Sequence, residues 1–383
     1  MEGTPKKHGW GIFWFLTAGT LKWVRYLVCI AGLLSCSNAF GKDVEYARFP
    51  SLTSSLNLGA NQEFCGEKVP LKRREIKERF EKEMLLSLWN RAQVILWLKR
   101  SHRYLPHIEK ALQENGLPDD LKYVAVAESA LRPHAGSIKG AIGFWQFMKH
   151  TGRKYRLIIN EGVDERRNLF ASTGAAILYL KDLYGKFGSW TLAVAAYNMG
   201  EGGLEAEILE QQTDDYYSLY LSLETQRFLF RILSIKLILS APERYGFRLS
   251  KDDYYPALTF DRVQVECPRK VPIQVVAKAA RTGFKVIKDL NPEIRGHDLA
   301  SGSHQILVPK GAAVGFQERY SRLAQRFLSD RKQRIYTVRK GDNLSSIAER
   351  FEIPVAVLII SNQIDPKLPI HPGDRLVIYP KDK

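Results

Sequence analysis

In residues 117–152, an apolar helical stripe ends in a carboxylic acid. Residues 118–120, Pro-Asp-Asp, form a helix start, because proline suits the first helical position and carboxylates suit the positive end of the helix dipole. One face of the predicted helix then carries, at spacings of three and four residues, Leu121, Val124, Ala125 and Glu128. Pro133 predicts the end of this helix.

A carboxyl group at the end of a buried stripe is costly unless it is neutral or paired. Burial would raise the pKa of Glu128, and a raised pKa is what a general acid needs at neutral pH. For a lone helical glutamate, a side chain turned toward solvent is the more common arrangement. The segment after this helix favours the chemical interpretation, because the small residues of Gly140–Gly143 lead into the aromatic and amide side chains of Phe144–Met148.

These side-chain types suit a sugar ligand. Small residues let a backbone approach a ligand closely. The ring of Trp145 offers a flat apolar face to sugar C–H groups, and the Gln146 amide can both donate and accept hydrogen bonds. A later apolar segment repeats this arrangement, because it ends in Tyr197 and Asn198 before Gly200.

Together these motifs resemble the lytic transglycosylases that have a goose-lysozyme-like catalytic domain, and most closely the membrane-bound type D group with C-terminal lysin-motif (LysM) modules. The resemblance covers roughly residues 100–250 and then the C-terminal tail. The motifs that carry it are Glu128-Ser129, Gly140-Ala141-x-Gly143-x-Trp145-Gln146-Phe147-Met148, Thr151-Gly152, Val163-Asp164-Glu165-Arg166-Arg167, Ala196-Tyr197-Asn198-x-Gly200-Glu201-Gly202 and, more weakly, Glu224-Thr225 and residues 242–246. The chain departs from the group at Asn168-Leu169, Met199 and Phe228, which belong to the rim of the predicted cleft.

The resemblance implies a mainly α, lysozyme-like catalytic domain followed by small α+β (βααβ) LysM-type modules. It also implies an enzyme without metal or cofactor, in which Glu128 protonates the bridging oxygen of the β-1,4 bond between N-acetylmuramic acid (MurNAc) and N-acetylglucosamine (GlcNAc) in peptidoglycan. Glu128 then takes the proton from the C6 hydroxyl of MurNAc, which leaves a 1,6-anhydro end. A lysozyme-type peptidoglycan hydrolase and a non-catalytic peptidoglycan-binding protein are the alternatives.

A lone acid agrees with the rest of the sequence. Most glycosidases use two carboxylates, whereas the other acids in a shared motif here, Asp164 and Glu165, stand beside two arginines and favour an ion pair. The roles known in the family imply that substrate is bound by Ser129, Gly143, Gln146, Phe147, Met148, Tyr197 and Asn198. For Tyr197 a role in the core is a serious alternative, and Trp145 is predicted to pack under the cleft.

The predicted catalytic domain is all-α and spans residues 71–250, with its motifs in residues 117–203. A charged run at residues 72–82 passes into apolar positions at helical spacing up to residue 98, which predicts one amphipathic helix packed on the catalytic core. Further helices are predicted at Tyr104–Glu114, Asn168–Phe187, Trp190–Tyr197 and Gln226–Ser240. Residues 40–70 contain Pro, Gly, Ser and Asn with little periodicity, so they are expected to form a flexible lead-in.

An internal repeat with an ungapped offset of 71 residues, which aligns Asn291 with Asn362, occupies the C-terminal part of the chain. Each copy predicts a strand, two short helices and a strand. The second copy, residues 334–380, resembles a LysM module, which implies sugar contacts from Gly341, Asp342, Asn343, Leu344 and Asn362. The first copy, residues 255–311, lacks the Gly-Asp turn and is interpreted as a degenerate LysM-like module. Residues 312–333 are interpreted as a basic, helical linker.

Residues 1–39 are interpreted as an export signal. A basic region precedes an apolar stretch, Tyr26–Leu34, that is too short to span a bilayer; an uncleaved amphipathic or spanning N-terminus is the alternative. Two cleavage sites compete: a lipoprotein box that would place a lipid on Cys36, which is slightly preferred, and a small-residue site that ends at Ala39. The expected location is the periplasm of a Gram-negative bacterium, with an outer-membrane anchor if Cys36 is lipidated.

The net charge of +16 indicates an anionic partner, such as nucleic acid, anionic lipid or an acidic wall polymer. No nucleic-acid-binding motif is present, so the predicted partners of the expected monomer are peptidoglycan glycan strands and, through the lipid, the membrane. Two cysteines remain outside the signal, Cys65 and Cys267, and they either pair or stay free. The eight histidines are scattered and do not indicate a metal site.

Overall fold

The computed structural model describes residues 50–59, 61–330, 335–366 and 368–378. All of them belong to one compact unit, Pro50–Lys383. The predicted export signal, including Cys36, lies outside the described residues. Within the described ranges, no helix combines the length and the apolar character that crossing a membrane requires.

A helical domain forms the first part of the structure. Its α-helices are α1 (Arg74–Trp89), α2 (Arg91–Glu114), α3 (Lys122–Ser129), α4 (Lys149–Lys154), α5 (Leu169–Phe187), α6 (Trp190–Met199), α7 (Glu201–Gln211) and α8 (Leu223–Ser240). Helix α8 is central, because it packs against α1, α3 and α6. The apolar faces of these helices share one continuous core, in which Phe80, Leu180 and Ile232 are fully buried. The predicted mainly helical fold class is confirmed.

The apolar pattern over residues 72–98 belongs to two helices rather than one. Asn90 separates α1 from α2, and its side-chain oxygen accepts a hydrogen bond from the backbone N–H of Gln93 (3.2 Å). Asparagine favours such helix starts because its side chain replaces a missing backbone acceptor. Helix α2 then continues through Pro106, so the predicted helix at Tyr104–Glu114 is its second half.

The prediction of a flexible lead-in is wrong for residues 63–69. Two short antiparallel strands, β1 (Glu63–Phe64) and β2 (Glu67–Lys68), form a hairpin whose Phe64 ring is fully buried. The Glu67 carboxylate accepts hydrogen bonds from Ser189 Oγ (3.0 Å) and from the N–H groups of Trp190 and Thr191 at the start of α6. A negative charge is favourable at this end of a helix. Strands of two residues leave no periodic pattern in the sequence, which is why the hairpin was missed.

A small α+β module follows the helical domain. Strand β3 (Asp261–Cys267) pairs antiparallel with β6 (Gly302–Val308), and β4 (Val271–Pro272) pairs antiparallel with β5 (Asp298–Leu299). Between β4 and β5 in the chain lie α9 (Ile273–Ala279) and α10 (Phe284–Leu290). The structure confirms the predicted order of strand, two helices and strand. Cys267 is buried in the core of this module and, like Cys65, is a free thiol.

Helix α11 (Phe316–Asp330) belongs to this first module. Phe316, Tyr320 and Ala324, spaced four residues apart, are buried in the core of the module, and α11 packs against α9. The prediction of a helix within residues 312–333 is therefore confirmed. Its interpretation as a linker is wrong, because one face of the helix is apolar and covered by the module.

A second module repeats the first in the described residues from 335 onward. Its strands β7 (Ile335–Thr337) and β8 (Arg375–Val377) pair antiparallel, and α12 (Leu344–Arg350) and α13 (Val355–Asn362) lie between them in the chain. The module has its own core, which includes Val338, Ile347 and Leu358.

One asparagine ties the second helix to the last strand in both modules. Asn291 exchanges two hydrogen bonds with the backbone of Leu307, both 2.8 Å long, and Asn362 does the same with Val377, at 2.9 and 2.7 Å. The asparagines are 71 residues apart, whereas their partners are 70 residues apart. The repeat therefore shifts by one residue before its last strand, which the ungapped pattern missed.

Backbone hydrogen bonds join the first module to the helical domain. Asp164 N–H donates to the carbonyl oxygen of Glu293 (2.8 Å), and Arg295 N–H donates to that of Gly162 (2.9 Å), on either side of an antiparallel β-bridge. These bonds fix the segment that leads into Arg166, a residue of the candidate site.

Candidate active site

The predicted acid lies at a sharp change of chain direction. Glu128 occupies the last turn of α3, which ends at Ser129 rather than near Pro133, because Ala130 and Leu131 adopt left-handed backbone conformations with φ of 52° and 56°. Two consecutive left-handed residues other than glycine are unfavourable, and such strain concentrates at functional sites. The chain is thereby redirected immediately after the acid.

The Glu128 carboxyl lies in a poorly solvated position. Burial raises its pKa from the usual 4.5 to about 8; Arg231 opposes the increase and Glu224 adds to it. Both of these charged residues lie on α8, which packs against α3. No hydrogen bond from the described residues stabilises the ionised form of Glu128. The group is therefore mostly protonated at neutral pH and able to donate its proton.

Ser129 connects α3 to the loop after it. Its buried hydroxyl lies 2.7 Å from the carbonyl oxygen of Phe144 and 3.1 Å from that of Ala125, and it donates to these oxygens. The hydroxyl is thus engaged by the backbone, and its contribution is to hold the loop against the end of α3, beside Glu128.

Gln146 and Tyr197 hold the same loop from two sides. The Gln146 amide donates to the carbonyl oxygens of Gly143 (2.8 Å) and Ala135 (3.2 Å). The Tyr197 hydroxyl donates to the carbonyl oxygen of Trp145 (2.7 Å). Burial and the nearby Glu128 raise the pKa of Tyr197 well above its ordinary value, so this hydroxyl keeps its proton and remains a donor.

A group of buried rings supports the loop from below. The Trp145 side chain is fully buried and donates from Nε1 to Thr173 Oγ1 (3.0 Å), which confirms its predicted packing role. Phe147 is also buried, and its ring contacts those of Tyr179 and Tyr197, with centroids 6.3 and 6.1 Å away. The Phe147 ring is not exposed in this structure, and its contact with substrate stays a prediction.

Arg166 clamps both ends of the loop from Gly140 to Phe147. Its buried guanidinium forms a two-pronged ion pair with Asp164, with both N–O distances 2.8 Å. Its Nη1 donates to the carbonyl oxygens of Gly140 and Phe147, both at 3.1 Å. The predicted ion-pair role is confirmed for Asp164, whereas the Glu165 carboxylate instead accepts from the backbone N–H of Ile158 (2.7 Å).

Gly143 makes this clamp possible. Its φ is +87°, and a Cβ atom at this position would lie 1.7 Å from the carbonyl oxygen of Arg166. Only glycine permits so close an approach of the loop to the segment that carries the arginine. Gly143 therefore has a structural role in this contact, and its predicted contact with substrate stays a prediction.

Asn198 and Met148 lie at the edges of the site. The Asn198 side-chain oxygen accepts a hydrogen bond from Thr225 Oγ1 (3.0 Å), which joins the end of α6 to the first turn of α8, next to Glu224. Met148 is partly exposed at the start of α4. The structure thus brings all seven predicted substrate-binding residues into the elements and the loop around Glu128.

Three groups of the site have no clear signal in the sequence. Glu224 gives only weak support for the resemblance, and the sequence predicts Arg166 only as a partner for an acid. Arg231 carried no signal, because a single arginine in an apolar helix does not reveal which helix it faces. These residues act on Glu128 or on its loop through contacts that join distant parts of the chain.

In the second module, a tight turn contains the first of the predicted sugar-binding residues. Gly341 has a φ of +90°, and the Asp342 carboxylate accepts from the Tyr336 hydroxyl (2.5 Å) and from the Arg339 N–H (2.8 Å). These hydrogen bonds, with Tyr336 first, lower the pKa of Asp342. The turn is therefore rigid and anionic at neutral pH.

The other residues predicted to bind sugar are tied into the module. Asn343 starts α12 by accepting from the Ser346 N–H (2.8 Å), and Leu344 packs against the core. The Asn362 amide is engaged by the backbone of Val377. Each supports the local fold in this structure, and direct contact with sugar remains a prediction.

Three parts of the chain match known families. Residues 106–219 match the family described as the Transglycosylase SLT domain, residues 259–325 match the LysM-like domain of lytic transglycosylase MltD, and residues 336–378 match the LysM domain. The first match contains Glu128 and the loop around it. The second contains the first module, including most of α11, and the third contains the second module.

Individual relatives agree with these matches. The chain is 33% identical over 293 residues to the membrane-bound lytic murein transglycosylase D of Escherichia coli K12, and the match covers 73% of this chain and 64% of that relative. It is 40% identical over 105 residues to the peptidoglycan transglycosylase gp16 of Escherichia phage T7, which covers 27% of this chain and 8% of that protein.

Among solved structures, the 70 kDa soluble lytic transglycosylase of Escherichia coli aligns with 17% identity and a TM-score of 0.34, over 47% of this chain and 31% of that one. The three family matches occur in the order of an SLT domain, an MltD-type LysM-like domain and a LysM domain. The chain therefore has an SLT domain followed by LysM domains, in the order of the MltD-like lytic transglycosylases to which it is similar, and it spans 64% of the length of the membrane-bound lytic murein transglycosylase D that it matches.

Proposed function

We propose that this protein is a lytic transglycosylase that cleaves the MurNAc–GlcNAc β-1,4 bond of peptidoglycan and leaves 1,6-anhydro-MurNAc ends. The observation that carries this proposal is the Glu128 carboxyl, whose pKa is raised to about 8 by burial at the end of α3. A carboxylic acid that is protonated at neutral pH is the group required to protonate a leaving oxygen.

Glu128 would serve in both steps of the reaction. It first gives its proton to the bridging oxygen, so that the C1–O bond breaks and GlcNAc leaves as an alcohol. As a carboxylate it then accepts the proton of the C6 hydroxyl of MurNAc, whose oxygen bonds to C1. The proton returns to Glu128 and no water is consumed. The intramolecular hydroxyl takes the place of a protein nucleophile, because its proximity makes it effective.

The loop from Gly140 to Phe147 would hold the sugar in a fixed orientation relative to Glu128. Ser129, Tyr197 and Arg166 hold its backbone at defined distances beside Glu128. In such a scaffold, a rigid loop can orient a sugar without rearranging during the reaction. We assign these three side chains to positioning, and contact with the sugar to Gln146, Asn198 and Met148, which are partly exposed.

The second module would tether the enzyme to its substrate. Residues 336–378 match the LysM domain, and the module folds around its own core. We propose that it binds the N-acetylated sugars of glycan strands, which raises the local concentration of bonds near Glu128. With a relative that is named membrane-bound, this supports a place in the cell envelope. A periplasmic location and a lipid on Cys36 remain part of the proposal.

The products of digestion test this function directly. Incubation of purified peptidoglycan with the protein is expected to release muropeptides that are lighter by one water than hydrolytic fragments, as measured by mass spectrometry. A digest treated with a muramidase of known hydrolytic action serves as the reference. Products that incorporate oxygen from labelled water would instead identify a hydrolase, and no soluble product at all would favour a binding protein.

One observation favours the hydrolase as second candidate. Glu224 is exposed and close enough to raise the pKa of Glu128, so a second carboxyl group is present that could activate water. If the transglycosylase proposal is right, Glu224→Gln keeps anhydro products. Removal of this negative charge then lowers the pKa of Glu128, and the alkaline limb of the pH–rate profile moves to lower pH.

Glu210→Gln, which removes an exposed charge on α7, is the matched control and should leave the profile in place. A fall in rate by about 10²-fold or more with Glu224→Gln, at every pH, would instead indicate a general base and support hydrolysis.

A further inference from the structure

A large cavity lies where the first module meets the helical domain. Its volume is about 810 Å³, which is within the size range of ligand sites. The helical domain contributes Glu165 and Phe170 to its wall, and the module contributes Arg262, Glu293 and Asp298. None of these residues is required by the proposed chemistry at Glu128.

Glu293 has an unsatisfied polar atom in this cavity. Its side chain lines the cavity although the residue is only 7% exposed, and its buried Oε2 has no hydrogen-bond partner among the described residues. Burial raises the pKa of Glu293, hydrogen bonds from the backbone and from the Asn168 side chain oppose this increase, and the Glu165 carboxyl adds to it. Burial also raises the pKa of Glu165. A buried carboxyl oxygen that has no hydrogen-bond partner is costly, so a ligand that donates to the Oε2 atom of Glu293 would recover free energy.

The basic groups nearby are already engaged. Lys288 partly offsets the raised pKa of Glu293, but its ammonium donates to the carbonyl oxygens of Ile294 and Gly296. The Arg262 guanidinium lies over the ring of Phe170, 4.8 Å from its centroid. The chain as a whole carries a net charge of +16. The acidic side chains of this cavity therefore contrast with the basic character of the rest of the protein.

We propose that this cavity binds a primary ammonium group, and specifically the side-chain amine of the diamino acid in a peptidoglycan stem peptide. An ammonium supplies three donors and one positive charge, and it is compensated best between two carboxyl groups, here Glu165 and Glu293. A sugar hydroxyl could donate to the free Oε2 atom of Glu293, but a neutral sugar would not compensate the negative charges of Glu165 and Glu293. The choice of a stem peptide rests on the proposed function.

The position of the cavity suits a peptide that projects from a glycan strand. Glu165 in its wall directly precedes Arg166, which holds the loop beside Glu128. On the module side, the Lys288 ammonium donates to the carbonyl oxygen of Ile294, a residue of the cavity wall. Burial and Arg167 lower the pKa of His134, in the segment after Glu128, and Lys288 is close enough to lower it further. The cavity therefore borders the elements of the catalytic site, and the first module would recognise the peptide rather than the sugar.

The experiment measures binding of a synthetic stem tripeptide to the full chain by isothermal titration calorimetry. The peptide is acetylated at its N-terminus and carries lysine, and its twin is also acetylated on the lysine ε-amine. We expect the free amine to bind about tenfold or more tightly than its acetylated twin, and Glu293→Gln to remove this difference. Glu318→Gln, an exposed acid on α11 of the same module, should retain it.

Equal binding of the two peptides, or no binding of either, would overturn the proposal. The proposal would also be overturned if Glu293→Gln weakened the binding of a GlcNAc tetramer and left the binding of the peptide unchanged, because the cavity would then be a sugar site. Neither peptide has a glycosidic bond, so binding is measured without turnover. If the ammonium site is wrong, the protein still forms anhydro products. If the proposed function is wrong, the anhydro products are not formed, but binding of the amine can still be measured.

Discussion

Replacement of Glu128 by glutamine is expected to lower the rate of glycan cleavage by about 10³-fold, because in the proposed mechanism general acid and base catalysis both depend on this one carboxyl. Glutamine keeps the shape of the side chain but cannot release a proton. Binding of peptidoglycan through the second module should persist, because that module has a separate core. The measurement is the release of soluble muropeptides, with wall pull-down as the binding assay.

The same variant should be more stable than the natural protein at neutral pH. The folded-state pKa of about 8 lies above the usual 4.5, so the stabilising contribution of protonated Glu128 is complete below pH 4.5 and is lost as the pH rises through 8. Glu128→Gln removes this loss. We expect a gain of roughly 2–3 kcal/mol at pH 7–8, or about 5 °C in melting temperature, and no gain at pH 4.

Glu114→Gln, an exposed acid at the end of α2, is the control and should change neither rate nor the pH dependence of stability. Retained lysis by Glu128→Gln would show that another group is the acid. A melting temperature that does not respond to pH in this way would show that the Glu128 carboxyl is solvated, and the proposed mechanism would lose its support.

The poorly solvated position of Glu128 could be predicted from the sequence because its signal is local. Glu128 follows Leu121, Val124 and Ala125 on one helical face, and helical period alone places it at the edge of a core. Its surroundings could not be predicted in this way. Arg231 reaches the site from a helix about a hundred residues later, and only the packing of α3 against α8 brings the two together.

Two short elements could not be predicted from the sequence either, because contacts between distant segments leave no local pattern. The hairpin around Phe64 and the clamp at Arg166 depend on hydrogen bonds to distant segments, not on a repeated spacing. By contrast, the LysM-type modules were visible as a repeat, because Asn291 and Asn362 perform the same task. Even there, the one-residue shift before the last strand became apparent only from the hydrogen bonds to Leu307 and Val377.

Gly143→Ala is expected to destabilise the protein by roughly 3–5 kcal/mol and to abolish most of its activity. Two costs combine: the left-handed φ of +87° is unfavourable for alanine, and its Cβ would lie 1.7 Å from the carbonyl oxygen of Arg166. The loop and the Arg166 segment would have to separate. Thermal unfolding measures the first effect and muropeptide release the second.

Gly140→Ala separates these two costs. Gly140 lies in the same loop with a φ of +89°, but a Cβ there would meet no atom within 4 Å, so only the conformational cost of about 1–2 kcal/mol is expected. The difference between the variants therefore isolates the close approach of the loop to Arg166. If both variants unfold at the same temperature and lyse peptidoglycan equally well, that approach is not needed to hold the loop beside Glu128. If Gly143→Ala alone loses activity, while a folded fraction still binds the wall, the loop is what aligns the sugar with the acid.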